Sequence, residues 1–258
     1  MTSNSQTILI TGASSGLGLA FIKHYASLPT PPTIIALDNQ PFPSNTLATQ
    51  TTLKLHFHNI DITDTDSLET LASTYTSTPL SLILHCAGIR GLVPSIVSQQ
   101  QNGGQDVSAA ETLSAMDKTT MIRTFEVNTW GTFNLVRSFV PNLRSSSPLS
   151  SAPRPKVVVL SSRMGSVSAN SAGGGYAYRA SKAALNAMVK SFAIDVPGVQ
   201  FLLLHPGRVK TGLVAWKEEG AIDVEESVGD CLRVMERMGE EGWESGRLVD
   251  RFGEVIAW

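Results

Sequence analysis

The chain has 258 residues and a mass of 27.6 kDa, with 42% hydrophobic, 7% aromatic and only 16% charged residues. Soluble domains carry about 25% charged residues, so much of this surface must consist of uncharged Ser, Thr, Asn and Gln. Twenty basic against twenty-two acidic residues leave a formal charge of −2, which offers no basic footprint for nucleic acid and no polybasic patch for a membrane. Two cysteines, Cys86 and Cys231, are too few for a disulfide scaffold or a thiolate metal site.

The first six residues are polar and uncharged, and the apolar run after them, Ile8-Leu9-Ile10, is far shorter than a signal-peptide core. No stretch approaches the ~18 apolar residues of a spanning helix, so the expectation is a soluble, intracellular, cytoplasmic protein. Short aliphatic runs at 7–11, 33–37, 53–59, 80–84, 156–161 and 199–205 read as strands. All but the third are nearly continuously apolar, as strands covered by helices on both faces must be. Helix-length segments separate them. One helix opens at Ser15-Gly16 and runs toward Tyr25, before Pro29 stops it. A second lies within 116–143 and is interrupted or ended near Pro141. A third starts near Tyr176 and ends at Pro197-Gly198. Segments 44–52, 95–110 and 145–155 read as surface loops, the middle one a mobile, solvated polar insertion built around Gln99-Gln100-Gln101-Asn102-Gly103-Gly104-Gln105. No linker or repeat divides the chain. The pattern predicts one domain over 1–258, a doubly wound α/β fold with a mostly parallel sheet.

Thr11-Gly12-Ala13-Ser14-Ser15-Gly16-Leu17-Gly18 follows the first strand and opens the first helix. Gly12 permits a sharp turn, Gly16 close approach of backbone to a pyrophosphate, and Gly18 close packing of helix on sheet. The helix N-terminus then presents free N–H groups and the positive end of its dipole to the anion. Asp38, at the end of the second strand, stands where a carboxylate accepts hydrogen bonds from an adenosine ribose and repels a 2′-phosphate. With no Arg or Lys near it in sequence, it favours NAD(H) over NADP(H); a solvated turn aspartate is the alternative. Asp61, after the third strand, either receives the adenine amino group or caps a helix.

Tyr178 and Lys182 stand at i and i+4 on one helix face. A cation about 4 Å from a phenol is worth roughly 4 kcal/mol at an effective dielectric of 20. That is about 3 pH units, enough to bring a tyrosine near neutrality as an acid–base group. Upstream, Ser161-Ser162 end a strand, where a hydroxyl can hold a substrate carbonyl. Asn128 sits in a helical pattern that it does not favour, which suggests a kink, a buried water or a proton relay.

These motifs, with Pro206-Gly207-Arg208-Val209-Lys210-Thr211, occur in the order seen in short-chain dehydrogenases/reductases, and the resemblance covers essentially the whole chain. It is similar in particular to the sniffer and C-factor-like carbonyl reductase subgroup, in the stretch from Ser161 to Lys182 and in the ending Ser245-Gly246-Arg247 through Phe252-Gly253-Glu254 to Ala257-Trp258. The resemblance implies a Rossmann-type domain and an NAD(P)(H)-dependent oxidoreductase acting on a small-molecule ketone, aldehyde or secondary alcohol. Tyr178 would be the acid–base; Lys182 would lower its pKa and hold the nicotinamide ribose. Ser162 would orient the carbonyl, and Asn128 would hold a water of a proton relay. Gly12, Ser14, Ser15, Gly16, Leu17 and Gly18 would carry the phosphates, and Asp38, Asp61, Ile62, Ala87 and Gly88 the adenosine side. Pro206, Gly207, Val209 and Thr211 would hold the carboxamide and diphosphate side. A homodimer or homotetramer is implied by the resemblance alone, which includes monomers too.

Where the family has Asn-Asn-Ala-Gly after the fourth strand, this chain has His85-Cys86-Ala87-Gly88. His85 reads as a packing residue at the sheet edge and Cys86 as a small buried side chain. The change keeps two other readings open: a non-catalytic dinucleotide-binding scaffold, and non-redox chemistry such as dehydration or cyclisation. The carbonyl reductase subgroup often favours NADPH through basic residues near positions 15 and 39; Ser15 and Asp38 point the other way. Trp130, Met164 and Trp216 are candidates for an apolar pocket wall, and 212–220 for a short lid.

Overall fold

The computed structural model describes residues 6–43, 53–100, 106–145, 153–214 and 219–258. Among them, seven strands form one parallel sheet in the order β3-β2-β1-β4-β5-β6-β7. β1 is Thr7–Thr11, β2 Thr33–Asp38, β3 Leu55–Asn59, β4 Leu82–His85, β5 Lys156–Leu160, β6 Gln200–His205 and β7 Arg247–Asp250. Strand order reverses between β1 and β4, so the crevice beyond their C-terminal ends is the topological switch point of a doubly wound sheet. The central strands bury both faces, whereas edge strand β3 stays half-exposed, which is why its run alone lacked continuous apolarity.

The period of two along each strand divides the core into two layers. Leu9, Ile35, Ile83, Val157 and Phe201 pack against Leu68 and Leu71 of α2 (Thr65–Thr74), Leu135 and Phe139 of α5 (Gly131–Ser145) and Leu185 and Val189 of α6 (Tyr176–Asp195). Their neighbours Ile10, Ile34, Leu84, Val158 and Leu202 pack on the other face against Phe21 and Ile22 of α1 (Gly16–Ala26) and Val228, Cys231 and Val234 of α7 (Val224–Glu236).

The second predicted helix is two helices joined by a π-helical turn: α4 (Lys118–Phe125), the turn Glu126–Trp130 containing Asn128, and α5. α5 does not stop at Pro141. The proline removes one ladder hydrogen bond, but the next turn is anchored from outside, where the Asn142 amide donates to Tyr75 O (2.7 Å) and Thr78 O (3.0 Å). The described ends of the 95–110 insertion carry local structure. A short helix α3 (Pro94–Gln100) and a 3₁₀ turn (Val107–Glu111) flank 101–105, and Val93 N donates to Ala110 O (3.0 Å). The loop readings at 44–52 and 146–152 lie outside the described residues, as do 101–105 and 215–218, the latter including Trp216.

Candidate active site

A cleft of about 340 Å³ opens at the C-terminal ends of the strands, within the size range of small-molecule sites. Gly12 and Gly16 hold φ of 66° and 50°, a left-handed conformation that side chains disfavour. A Cβ on Gly12 would lie 3.0 Å from Ala87 N, and one on Gly18 only 2.1 Å from Gly12 O, so the loop and helix α1 close on each other as tightly as glycine allows. Ser15, the N-cap of α1, makes no side-chain cap bond, which leaves the first-turn N–H groups turned toward the cleft. Thr211 closes that side, its Cβ and Cγ2 3.4 Å from where a Gly16 Cβ would stand.

At the far end Asp38 Oδ2 accepts from Ser14 N (2.9 Å) and Oδ1 from Gln40 N (2.8 Å). Asp61 accepts from Thr63 N and Thr63 Oγ1 (2.9 and 2.8 Å) and is not the helix cap; Asp64 caps α2 by accepting from Ser67 N (3.2 Å). The Thr63 bonds and Arg123 hold the Asp61 carboxyl below the usual range against the opposing effect of burial. Arg123, from α4, is a cation at this end of the cleft that the local sequence did not reveal. It pairs with Asp61 (3.3 Å) and Glu126 (2.8 Å).

Tyr178 and Lys182 face the same cleft, and both are buried. Lys182 Nζ lies 5.7 Å from the centre of the Tyr178 ring and donates to Leu160 O (2.9 Å). Burial pulls the ammonium down from its ordinary value to about 8. Ser162 follows the cleft-lining Ser161 but is not itself part of the cleft wall; it caps a 3₁₀ turn, where its Oγ accepts from Met164 N (3.1 Å), an arrangement that leaves its O–H to donate elsewhere. Its neighbour Ser161 is committed to Asn186 Oδ1 (2.6 Å).

Asn128 occupies the π-turn as a brace. Its Oδ1 accepts from Ile89 N (2.8 Å), and its Nδ2 donates to Ile89 O (2.9 Å) and to Ser181 Oγ (3.0 Å). The side chain is therefore committed, and a relay water would have to use the main-chain carbonyl. His85 is not at a sheet edge: β4 lies between β1 and β5, and the ring is enclosed. Thr11 Oγ1 accepts from Cys86 N (3.1 Å) and Ala87 N (3.2 Å), so its single hydrogen goes to His85 Nδ1 (2.7 Å). That assignment places the ring hydrogen on Nε2, which donates to Thr132 Oγ1 (2.8 Å); Thr132 donates in turn to Asn128 O (2.8 Å). Burial, and then the Lys182 charge, lower the imidazole to about 3, so it is a neutral strut between the glycine-loop strand and the π-turn. Desolvation pushes the Cys86 thiol up, which suits an inert wall residue of the cleft.

Of the residues expected at the dinucleotide, Gly12, Ser15, Gly16, Leu17 and Gly18 line the cleft along with Asp38, Asp61, Ile62, Ala87 and Gly88, and so do Pro206 and Thr211. Ser14 instead supports Asp38, Gly207 takes a left-handed turn (φ 91°), and Val209 bridges to Ile222 beside the cleft. Trp130 turns away: its Nε1 donates to Thr63 O (3.2 Å) and its ring stacks on Phe133. Among the described residues no His/Cys/Asp/Glu group could hold a metal ion, and no helix is long and apolar enough to cross a membrane.

Residues 6–221 match the family model described as short chain dehydrogenase. The C-signal protein of Myxococcus xanthus is 31% identical over 193 residues, spanning 74% of this chain and all of that protein. Among solved structures, the carbonyl reductase Sniffer of D. melanogaster superposes with a TM-score of 0.80 at 27% identity, covering 98% of this chain and 99% of its own. An NADPH-bound carbonyl reductase from chicken fatty liver gives 0.76 at 25% identity, with the same coverage.

Proposed function

The chain belongs to the short-chain dehydrogenase family and is an NAD(P)-dependent oxidoreductase; from that premise we propose that Tyr178 is its acid–base and that its substrate is a small ketone, aldehyde or secondary alcohol. The observation that carries this reading is the convergence of Tyr178, Lys182 and the uncapped N-terminus of α1 on one cleft at the switch point of the sheet. The cradle fits a dinucleotide: glycines stand where a Cβ would meet backbone, first-turn N–H groups face the space for a diphosphate, and a carboxylate stands at the ribose end. When bound, the nicotinamide supplies or accepts a hydride at C4 of its ring.

In the reducing direction the Tyr178 hydroxyl gives its proton to the carbonyl oxygen as the carbonyl carbon gains the hydride. In the oxidising direction the phenolate takes the proton back as the alcohol carbon loses the hydride. Lys182 supplies the positive charge that makes the phenolate accessible and stands where it can reach the nicotinamide ribose. Ser162 donates its O–H to the substrate oxygen and fixes its distance from Tyr178. The Asn128 carbonyl holds the water through which the proton is exchanged with solvent. Asp38 makes NAD(H) the preferred partner by repelling a 2′-phosphate, with Arg123 across the cleft offsetting part of that repulsion. The domain acts as one unit over 1–258, in the cytoplasm, as a homodimer or homotetramer.

The test is Tyr178→Phe. Turnover, followed by reduced-nicotinamide absorbance with a panel of aromatic and aliphatic carbonyls, should fall at least ~10²–10⁴-fold, the worth of a positioned acid–base group. Dinucleotide affinity, read from tryptophan fluorescence, should stay unchanged. A variant that turns over normally removes Tyr178 from the chemistry.

A further inference from the structure

Directly behind the tyrosine stands an ion pair that the reaction as described does not use. Arg90 donates from Nε to Glu111 Oε2 and from a terminal nitrogen to Oε1, both at 2.9 Å, the two-pronged geometry that fixes a guanidinium most firmly. Both side chains are largely buried, with 15% and 9% of their surfaces exposed. The Arg90 Cζ lies over the Tyr178 ring, 5.0 Å from its centre.

Each partner is held from two directions. The backbone before Arg90 is clasped by the Asn128 amide at Ile89 N and O. After it, Gly91 turns with φ 74° where a Cβ would meet Thr124 Oγ1 at 2.5 Å. Glu111 is tied by its own carbonyl, which accepts from Gly175 N (2.9 Å), the residue that opens the tyrosine helix. A side chain on Gly175 would meet Met164 Cε at 2.6 Å and the Glu111 carboxylate at 3.5 Å, so glycine there leaves room for the pair. A buried ion pair repays its desolvation poorly as a source of stability. Its placement against the reactive ring gives it another use.

We propose that Arg90, locked by Glu111 against the face of the Tyr178 ring, is a positioning residue for the reaction: it fixes the orientation of the phenol and favours its ionised form. The inference rests on the reading of Tyr178 as the acid–base. A cation over an aromatic face is attracted by the electron density of the ring. That density rises when the phenol loses its proton, so the attraction is stronger for phenolate than for phenol. Lys182 acts on the ring from its own helix at 5.7 Å, and Arg90 adds a second cation from the segment after β4. The Glu111 carboxylate, paired with the guanidinium, cancels part of its charge, which keeps the effect moderate. Other charged groups lie on α6 and on the elements packed against it. Arg179 donates to Gly173 O and Gly174 O. Arg123 of the neighbouring α4 pairs with Asp61 and Glu126, Lys118 opens that helix, and Arg163 after β5 pairs with Asp250. His85 is neutral.

The measurement needs no substrate. The chain has four tyrosines, and an alkaline titration of tyrosinate absorbance, taken as the difference between the parent and its Tyr178→Phe derivative, isolates the ionisation of Tyr178. In Arg90→Gln, which leaves Glu111 facing the ring alone, the midpoint should rise by about half to one pH unit. In Glu111→Gln, which leaves the guanidinium uncompensated, it should fall, and in Arg90→Lys it should move by less than in Arg90→Gln. Should Arg90→Gln not fold, as judged by dinucleotide-induced fluorescence change, the sign of the Glu111→Gln shift decides. Midpoints that stay fixed, or that move the opposite way, overturn the role of Arg90. Normal turnover in Tyr178→Phe would instead overturn the acid–base reading, so the two failures are distinguishable.

Discussion

The two ends of the cleft are built in different ways. At the glycine loop the contacts come from main chain and from residues close in sequence: the first turn of α1, the Gly12 and Gly16 turns, and Asp38 held by Ser14 N and Gln40 N. At the tyrosine end they come from side chains delivered by separate segments: Arg90 after β4, Glu111 from the insertion, Asn128 from the π-turn, and Ser181 and Lys182 from α6. A site made of backbone tolerates changes of side-chain chemistry but no added atoms. A site made of interlocked side chains is the reverse, since each member is placed by its partners and its loss leaves a buried polar group unsatisfied.

The sharpest break of that contrast is Gly18→Ala. One methyl group would stand 2.1 Å from Gly12 O, so α1 has to withdraw from the loop. Dinucleotide affinity should fall by about a hundredfold or more, with about 2–4 kcal/mol of stability lost, the upper range for a strained, tightly packed position. Fluorescence titration and urea unfolding measure the two, and unchanged affinity would show that the close approach is not needed.

His85→Asn probes the strut that joins the two ends. The shorter amide cannot span Thr11 and Thr132 as the imidazole does, so stability at neutral pH should fall by about 1–3 kcal/mol, the cost of leaving one buried partner unpaired. The pH dependence carries a signature. The folded His85 titrates at about 3, below its ordinary 6.5, so the unfolded chain binds the extra proton between those values. Stability present above 6.5 is therefore lost as pH falls toward 3, by up to about 1.4 kcal/mol per unit. His205, lowered to about 4 mainly by burial, adds to the slope in both proteins. The expected result is a wild-type slope steeper than that of the variant. Equal slopes in urea midpoints measured across this range would mean that His85 is not buried neutral.

The smallest effect is expected at the loop's open end. Asp38→Asn keeps an oxygen for Ser14 N but removes the charge, and should move the ratio of NADP(H) to NAD(H) affinity about tenfold toward NADP(H), with stability nearly unchanged. A ratio that does not move would shift the discrimination to another residue, with Arg123 the first to examine.

How much of this was legible depends on how far apart the interacting residues lie in the chain. Six of the seven described strands, the glycine loop and the first and last of the three predicted helices could be read from apolar runs and from Gly and Pro punctuation. Tyr178 and Lys182 could be paired because one turn of helix brings i and i+4 together whatever surrounds it. β7 escaped notice: four residues long, with Arg247 and Asp250 at its ends, it offers only Leu248 and Val249 as an apolar signal. Pro141 read as an interruption or end of the helix because the Asn142 anchors that carry α5 past it come from 64 and 67 residues away.

The same boundary runs through the site. Sequence alone determined the doubly wound fold, the glycine turn that opens α1 and the pairing of Tyr178 with Lys182 on one helix face, since hydrophobic period, backbone freedom at glycine and helical spacing are local properties that need no partner. Tertiary structure decided which distant groups meet: Arg123 with Asp61 across 62 positions, His85 with Thr11 across 74 and with Thr132 across 47, and Arg90 with Glu111 against the tyrosine ring. Those partners are chosen by how helices settle on the two faces of the sheet, and no spacing rule along the chain encodes that choice.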